Sequence, residues 1–288
     1  MKKKREPPTQ CAFCPNNANS RERVFPKWLK PYVPAGGGNN AHTGSWGGRI
    51  AETTAEFECV GRGKLHRPGS SFSQRLRCVC KRCNNEWMGN LQELAKPILI
   101  PFLKGQWPEI PPECHATLAA WATMATMVIE FAHLETMAST PVCRAALKRT
   151  GLPPSDWFVF VGRYFGDGVW NRGAFNHFGI TSPGLKLVER NGLLLIPPAT
   201  ALAPRYDSQS TAFALGTLFF LTFSSRVPFE LDPLDFADRT GMRCLWPSQG
   251  QAILAPERIL DDVSADLLSR SFLPPDRQPL VRPVWVTV

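Results

Sequence analysis

The chain has 288 residues, of which 43% are hydrophobic and 20% are charged, proportions that are typical of a globular protein. Its longest apolar run, from Thr211 to Phe223, is interrupted by Gly216 and is too short to span a bilayer, which argues against a membrane partner. The net charge is +9, but residues 1–83 hold 16 Lys and Arg against 5 Glu, a local net charge of +11. Positive charge clustered in this way favours nucleic acid as the partner, and the simpler alternative is a solvated basic tail.

The cysteine content bears on the compartment in which the protein works. Nine cysteines are present, and the basic start Met1–Arg5 is followed by Glu6 and two prolines instead of the apolar core of a signal peptide. Thiols that stay free or bind metal are typical of a reducing compartment. We therefore expect a soluble cytoplasmic protein.

The first hundred residues alternate between turns and short ordered stretches. A run rich in Pro, Gly and Asn, from Pro31 to about Ile50, predicts a flexible loop. Alternating apolar and polar residues over Thr53–Val60 and Ser71–Val79 predict two strands that pair with each other. Apolar residues at helical spacing predict a helix from Asn84 to about Ala95.

The rest of the chain predicts a helix followed by strands. Pro97 and Pro101 are expected to end the helix that begins at Asn84, and a broad apolar stripe predicts a second helix from Pro112 to about Ala138. A short helix is expected over Pro256–Leu268. Between these two helices, segments separated by turn residues are expected to be strands, at Trp157–Phe165, Val169–Thr181, Lys186–Pro197 and Thr211–Ser224.

Two Cys-x-x-Cys pairs, Cys11 with Cys14 and Cys80 with Cys83, present the four thiolates that a structural Zn²⁺ takes. Sixty-five residues separate the pairs, far more than in a compact zinc ribbon, so two unrelated pairs of buried cysteines are the alternative. Cys78 is expected to point away from the metal, because alternate residues of a strand face opposite sides. The order of pair, strand, long connection, strand, pair and helix predicts a zinc-bound treble-clef finger.

These patterns predict an α+β protein with two units. Residues 1–105 form the zinc finger and residues 106–288 form a mixed, strand-rich α+β body, with the boundary near Gln106–Pro112. The sequence assigns no role to the body and leaves the oligomeric state open.

The first hundred residues resemble the HNH (His-Me finger, ββα-metal) endonucleases. The resemblance is to the bacterial branch whose signature combines Cys-x-x-Cys, Glu-His-x-x-Pro-x-Trp-Leu and Cys-x-x-Cys-Asn-Asn-x-Trp, and it extends weakly to about residue 135. The residues that match this signature are Cys11, Cys14, Glu22, Pro26, Trp28, Leu29, Cys80, Cys83, Asn84, Asn85 and Trp87.

The resemblance implies a site that hydrolyses phosphodiester bonds in DNA, which is favoured over RNA. It places a catalytic divalent ion, Mg²⁺, Mn²⁺ or Ni²⁺, between Glu22 and Asn84, while the zinc is structural. The chain departs from the family at Arg23, which stands where the general-base His is expected and stays protonated at any working pH. The basic residues expected to meet phosphate, together with Arg23, are Arg21, Lys27, Arg77, Lys81 and Arg82.

Three hypotheses follow from the missing histidine. The first is a degenerate finger that binds nucleic acid through Arg23 without cutting it. The second is an active nuclease whose base is His42 or His66, both of which lie between the Cys pairs. The third is a zinc-stapled structural or protein-interaction module in which Glu22 and Arg23 form a local ion pair.

Overall fold

The protein has a mixed α+β fold, as the sequence predicts. A computed structural model of the chain describes residues 10–33, 40–41, 43–50, 57–62, 67–68, 74–168, 170–181, 188–190, 193–195, 206–227 and 231–272. Within these ranges, no helix is both long enough and apolar enough to cross a membrane.

Two α-helices of the described residues lie before residue 105 and four lie after it. A π-helical turn over Asn84–Met88 joins the first two helices into one continuous rod. A 3-10 helix over Lys27–Tyr32 precedes them. The α-helices are α1 (Lys81–Cys83), α2 (Gly89–Leu103), α3 (Pro112–Glu130), α4 (Pro141–Thr150), α5 (Pro233–Thr240) and α6 (Asp262–Leu268).

The strands form one large sheet and three two-stranded ribbons. The ribbons pair β1 with β6, β2 with β5, and β9 with β10. The strands are β1 (Ser20–Arg23), β2 (Asn40–Ala41), β3 (Thr43–Ile50), β4 (Phe57–Arg62), β5 (Arg67–Pro68), β6 (Arg75–Val79), β7 (Trp157–Tyr164), β8 (Phe175–Thr181), β9 (Val188–Arg190), β10 (Leu193–Leu195), β11 (Ser208–Leu215), β12 (Leu218–Ser225), β13 (Arg243–Trp246) and β14 (Ile259–Leu260).

The large sheet has eight strands in the order β13–β7–β12–β11–β8–β3–β4, with β14 also paired to β7. Neighbours are antiparallel except for β3 with β8 and β14 with β7, which are parallel. The sheet therefore takes β3 and β4 from the region before residue 105. The division into residues 1–105 and 106–288 stays a prediction about how the chain folds.

The two faces of the sheet bury different partners. Phe213 and Phe220 face α3 and the finger and belong to the same apolar core as Cys11 and Phe25. Phe219 lies in the second core, with residues of α5 and α6. Helix α3 is buried on nearly every side, because it lies between the finger and the sheet.

The strand pairing predicted for the first hundred residues is wrong. The predicted loop from Pro31 to Ile50 contains β3, which pairs with β4 and β8. β6, which overlaps the predicted strand Ser71–Val79, pairs with β1 instead of with β4. The glycines of β3 lower its intrinsic strand propensity, and its partner β8 is more than a hundred residues away in the chain, so local pattern indicates neither.

Two further elements differ from prediction for reasons of packing. The helix that begins near Asn84 continues through Pro97 and Pro101 to Leu103, because its last turns bury apolar side chains. The predicted strand over Thr211–Ser224 is a hairpin that turns at Gly216, which has a φ of +58°. A Cβ at Gly216 would lie 2.5 Å from the carbonyl oxygen of Phe102, so only glycine lets the turn pack there.

Candidate functional site

The first Cys pair forms a tight turn closed by backbone hydrogen bonds. The amide of Cys11 donates to the carbonyl of Asn16 at 2.7 Å, and the amide of Ala12 donates to the carbonyl of Cys78 at 2.7 Å. The second bond ties the turn to β6, the strand that leads into the second Cys pair. The long connection between the pairs is therefore closed by strand contacts.

The second Cys pair forms the start of α1. Cys80 caps this helix, because its Sγ accepts the backbone N–H of Cys83 at 3.3 Å. The amide of Asn84 donates to the carbonyl of Cys80 at 3.0 Å. Asn19, just before β1, accepts the amide of Lys81 through its side-chain oxygen at 2.9 Å. The two pairs are thus fixed relative to each other before any metal is considered.

Cys11, Cys14, Cys80 and Cys83 lie close enough together to hold a metal ion. Their sulfur atoms all fall within 4.8 Å of one another, and Cys14 Sγ lies 3.6 Å from the sulfurs of both Cys80 and Cys83. A tetrahedral Zn²⁺ with Zn–S bonds of about 2.3 Å needs sulfurs about 3.8 Å apart, so the set fits zinc. Cys78 is buried and stands outside the set. Within the described residues, no other group of three or more His, Cys, Asp or Glu side chains could hold a metal.

The surroundings of the Cys83 thiol raise its pKa. A hydrogen bond with Cys11, followed by burial, raises its pKa to about 12, and the ammonium of Lys148 opposes this shift. A metal must displace that proton, so binding here is coupled to deprotonation.

The β1–β6 ribbon beside this site carries arginines on its outer surface. Arg23 and Arg75 are directly paired across the two strands and so share one face. Arg21, Arg75 and Arg77 are exposed and Arg23 is half-buried. We call these four residues the arginine face. The exposed arginines of this face present their positive charge to solvent.

The remaining predicted phosphate contacts are also on the surface. Lys27 is exposed in the 3-10 helix after β1, and Lys81 and Arg82 are exposed in the first turn of α1. Arg82 donates from Nε to Glu86 at 3.1 Å, one helical turn later. The structure therefore leaves these cations, like most of the arginine face, open to solvent.

Glu22 points the opposite way, into the protein. Its carboxylate accepts a hydrogen bond from Gln92 Nε2 at 3.4 Å, and the residue is 7% exposed. Burial raises the pKa of the Glu22 carboxyl to about 7, while the backbone amide of Arg23, the Gln92 side chain and the charge of Arg23 limit the shift. Next to it is a cavity of about 10 Å³, sized for one water molecule and walled partly by Met88 and Trp121.

Asn84 has a separate partner. Its Nδ2 donates to Ser20 Oγ at 2.9 Å, whereas Glu22 is bonded two helical turns further along at Gln92. In the described part of the chain, no hydrogen bond joins Glu22 to Asn84. The alternative bases, His42 and His66, lie outside the described residues.

Helix α4 contributes contacts to the four-cysteine cluster that the sequence does not predict. Arg144 Nε donates to the carbonyl of Ala12 at 2.8 Å, and Lys148 Nζ lies 3.2 Å from Cys83 Sγ. Signals for this helix are present, because Thr140 before Pro141 is a typical start and Gly151 a typical end. Its contact with a Cys pair more than sixty residues earlier leaves no signal in the sequence.

Comparison of the chain with protein-family models, with curated proteins and with solved structures finds no match. The resemblance to HNH endonucleases therefore depends on the motif residues alone.

Proposed function

We propose that this chain is a zinc-stabilised, HNH-like protein that binds nucleic acid through the arginine face and the neighbouring Lys27, Lys81 and Arg82. The observation that carries the proposal is the arginine face itself, which lies on the strands that join the two Cys pairs. DNA is favoured over RNA because the resembled family acts on DNA. In this proposal Zn²⁺ holds the ribbon against α1 in a treble-clef arrangement.

The proposed activity is binding rather than hydrolysis. A carboxyl group binds a divalent cation in its ionised form, but Glu22 is buried on the side of the ribbon away from the arginine face and its surroundings favour the neutral acid. Arg23 cannot take a proton from water. Phosphate binding needs only positive charge and bidentate donors, which arginines supply.

Salt-dependent binding to a labelled DNA duplex tests the proposal. Arg75→Glu with Arg77→Glu should weaken binding at least tenfold and reduce the slope of log affinity against log salt by about 2, since each lost phosphate contact removes about 0.9. The matched control is Arg239→Glu with Arg258→Glu, the same charge change at exposed residues in or beside α5. An unchanged slope in the ribbon variant would favour a protein-interaction module.

The same preparations separate binding from cutting. We expect no plasmid nicking by the wild type with Mg²⁺, Mn²⁺ or Ni²⁺ at low salt. Nicking that is lost in Asn84→Ala would instead show a working divalent site at Glu22 and Asn84 and would make the protein an enzyme.

A further inference from the structure

One helix of the body contacts both Cys pairs. Arg144 and Lys148 are one turn apart on α4, and they reach Ala12 in the first pair and Cys83 in the second. The helix itself is fixed, because Leu147 between them is fully buried in the main core. Lys148 is therefore held at the metal centre by tertiary packing.

The sulfur of Cys83 differs from its neighbours in where its hydrogen bond comes from. Cys80 Sγ accepts the backbone N–H of Cys83. The sulfur of Cys14 is hydrogen-bonded to the backbone of Asn16, and the sulfur of Cys11 to the backbone of Phe13. Cys11 also receives a backbone hydrogen bond from Cys80, so all of these donors belong to the two Cys-containing turns. Among the described residues, the N–H donor to Cys83 Sγ is the side chain of Lys148.

The contact between Lys148 and Cys83 matters because of the charges involved. Four thiolates around Zn²⁺ carry a net charge of about −2. Cys83 is fully buried and Lys148 is half-buried, so solvent screens their interaction only in part. An ammonium 3.2 Å from a ligand sulfur offsets part of the excess charge and orients the sulfur.

We propose that Lys148 is a positioning residue of the metal centre, through which α4 of the body sets how tightly the four cysteines retain zinc. The inference rests on the proposed zinc site and adds to it a dependence on the body. Groups that orient metal ligands typically change metal affinity by 10- to 100-fold, and Lys148 falls in this class by its geometry.

The test measures zinc affinity by competition with a chromophoric chelator in three full-length variants. Lys148→Met should weaken zinc binding by about tenfold or more. Lys148→Arg keeps the charge and a donor and should restore most of the affinity. Arg149→Met is the matched control, because it removes the same charge from the next, exposed position of α4 and should leave the affinity unchanged.

A second readout excludes a purely structural effect. In the Co²⁺-substituted protein, Lys148→Met should shift the sulfur-to-cobalt charge-transfer bands, and Arg149→Met should not. Equal zinc affinities and equal cobalt spectra for Lys148→Met and Arg149→Met would overturn the inference while leaving the zinc site intact. A wild type that binds neither metal would overturn the proposed zinc site, and the inference with it.

Discussion

The carboxyl group of Glu22 is held where β1 packs against α2, and its surroundings set its protonation. Its ordinary pKa of 4.5 is raised to about 7 by burial. The folded protein therefore holds a proton that the unfolded chain releases between pH 4.5 and pH 7. Because the native state binds more protons in this window, the free energy of unfolding falls as the pH rises through it.

Glu22→Gln should remove this pH dependence. The wild type should lose about 2–3 kcal/mol more unfolding free energy than Glu22→Gln between pH 5 and pH 8, because the amide imitates the neutral acid and cannot ionise. Urea denaturation at each pH gives the two curves, and any pH effect of zinc binding is common to both. Glu93→Gln, the same change at an exposed position of α2, should follow the wild type. Parallel curves for wild type and Glu22→Gln would mean that the carboxyl group is hydrated, and would restore Glu22 as a candidate metal ligand.

At the scale of single residues, the sequence predicts which residues could bind a metal better than it predicts how deeply a residue is buried. The four cysteines could be identified as candidate metal ligands because a Cys-x-x-Cys pair is a local turn, so its residues are close together in the sequence. The burial of Glu22 could not be predicted, since Trp121 and Met124 beside its cavity come from α3, about a hundred residues away. Lys148 was missed for the same reason.

Helix α2 contains two prolines and yet remains helical to Leu103. Pro97 and Pro101 are four residues apart, so the hydrogen bonds that they cannot donate lie on one side of the helix. Leu99, Phe102 and Leu103 are buried in the main core. Their burial offsets a local penalty of about 3 kcal/mol for an internal proline, which is why the sequence pattern ended this helix too early.

Pro97→Ala should therefore stabilise the protein. Pro97 is exposed, so the change removes no core packing and restores the N–H that the helix lacks. We expect a gain of about 1–2 kcal/mol in urea denaturation, after allowing about 1 kcal/mol for the greater entropy of the unfolded alanine variant. Pro233→Ala is the control, because a proline at the first position of α5 suits the helix and its replacement should give no gain. Equal or lower stability of Pro97→Ala would contradict the idea that the proline is a local cost.

Strand partners were harder to predict than the strands themselves. β7 and β8 overlap the predicted segments, because a short apolar run bounded by turn residues indicates a buried strand wherever its partner lies. The pairing of β1 with β6 and of β3 with β8 depends on residues more than fifty positions apart. No local pattern specifies such a register, and the tertiary core decides it.

At the scale of the whole molecule, one apolar core of the described residues joins the four-cysteine cluster to the sheet. Phe25, just after β1, lies 5.5 Å from Phe213 of β11, measured between ring centroids. Phe213 also contacts Trp121 of α3, with centroids 6.2 Å apart. The segment after β1 thus packs on the sheet and on α3 directly, in addition to the contacts that α4 makes at the four-cysteine cluster.

This arrangement predicts that residues 1–105 do not fold alone, even with zinc. The fragment would keep all four cysteines but would lose β8, the partner of β3, and would expose Phe25 to water. It would also lack Lys148. We expect metal binding without a cooperative unfolding transition when the zinc-loaded fragment is denatured with urea, whereas the zinc-loaded full chain should give one sharp transition. A cooperative transition in the fragment would restore the division at residue 105, and would mean that zinc and the β1–β6 ribbon suffice to order the finger before the body covers it.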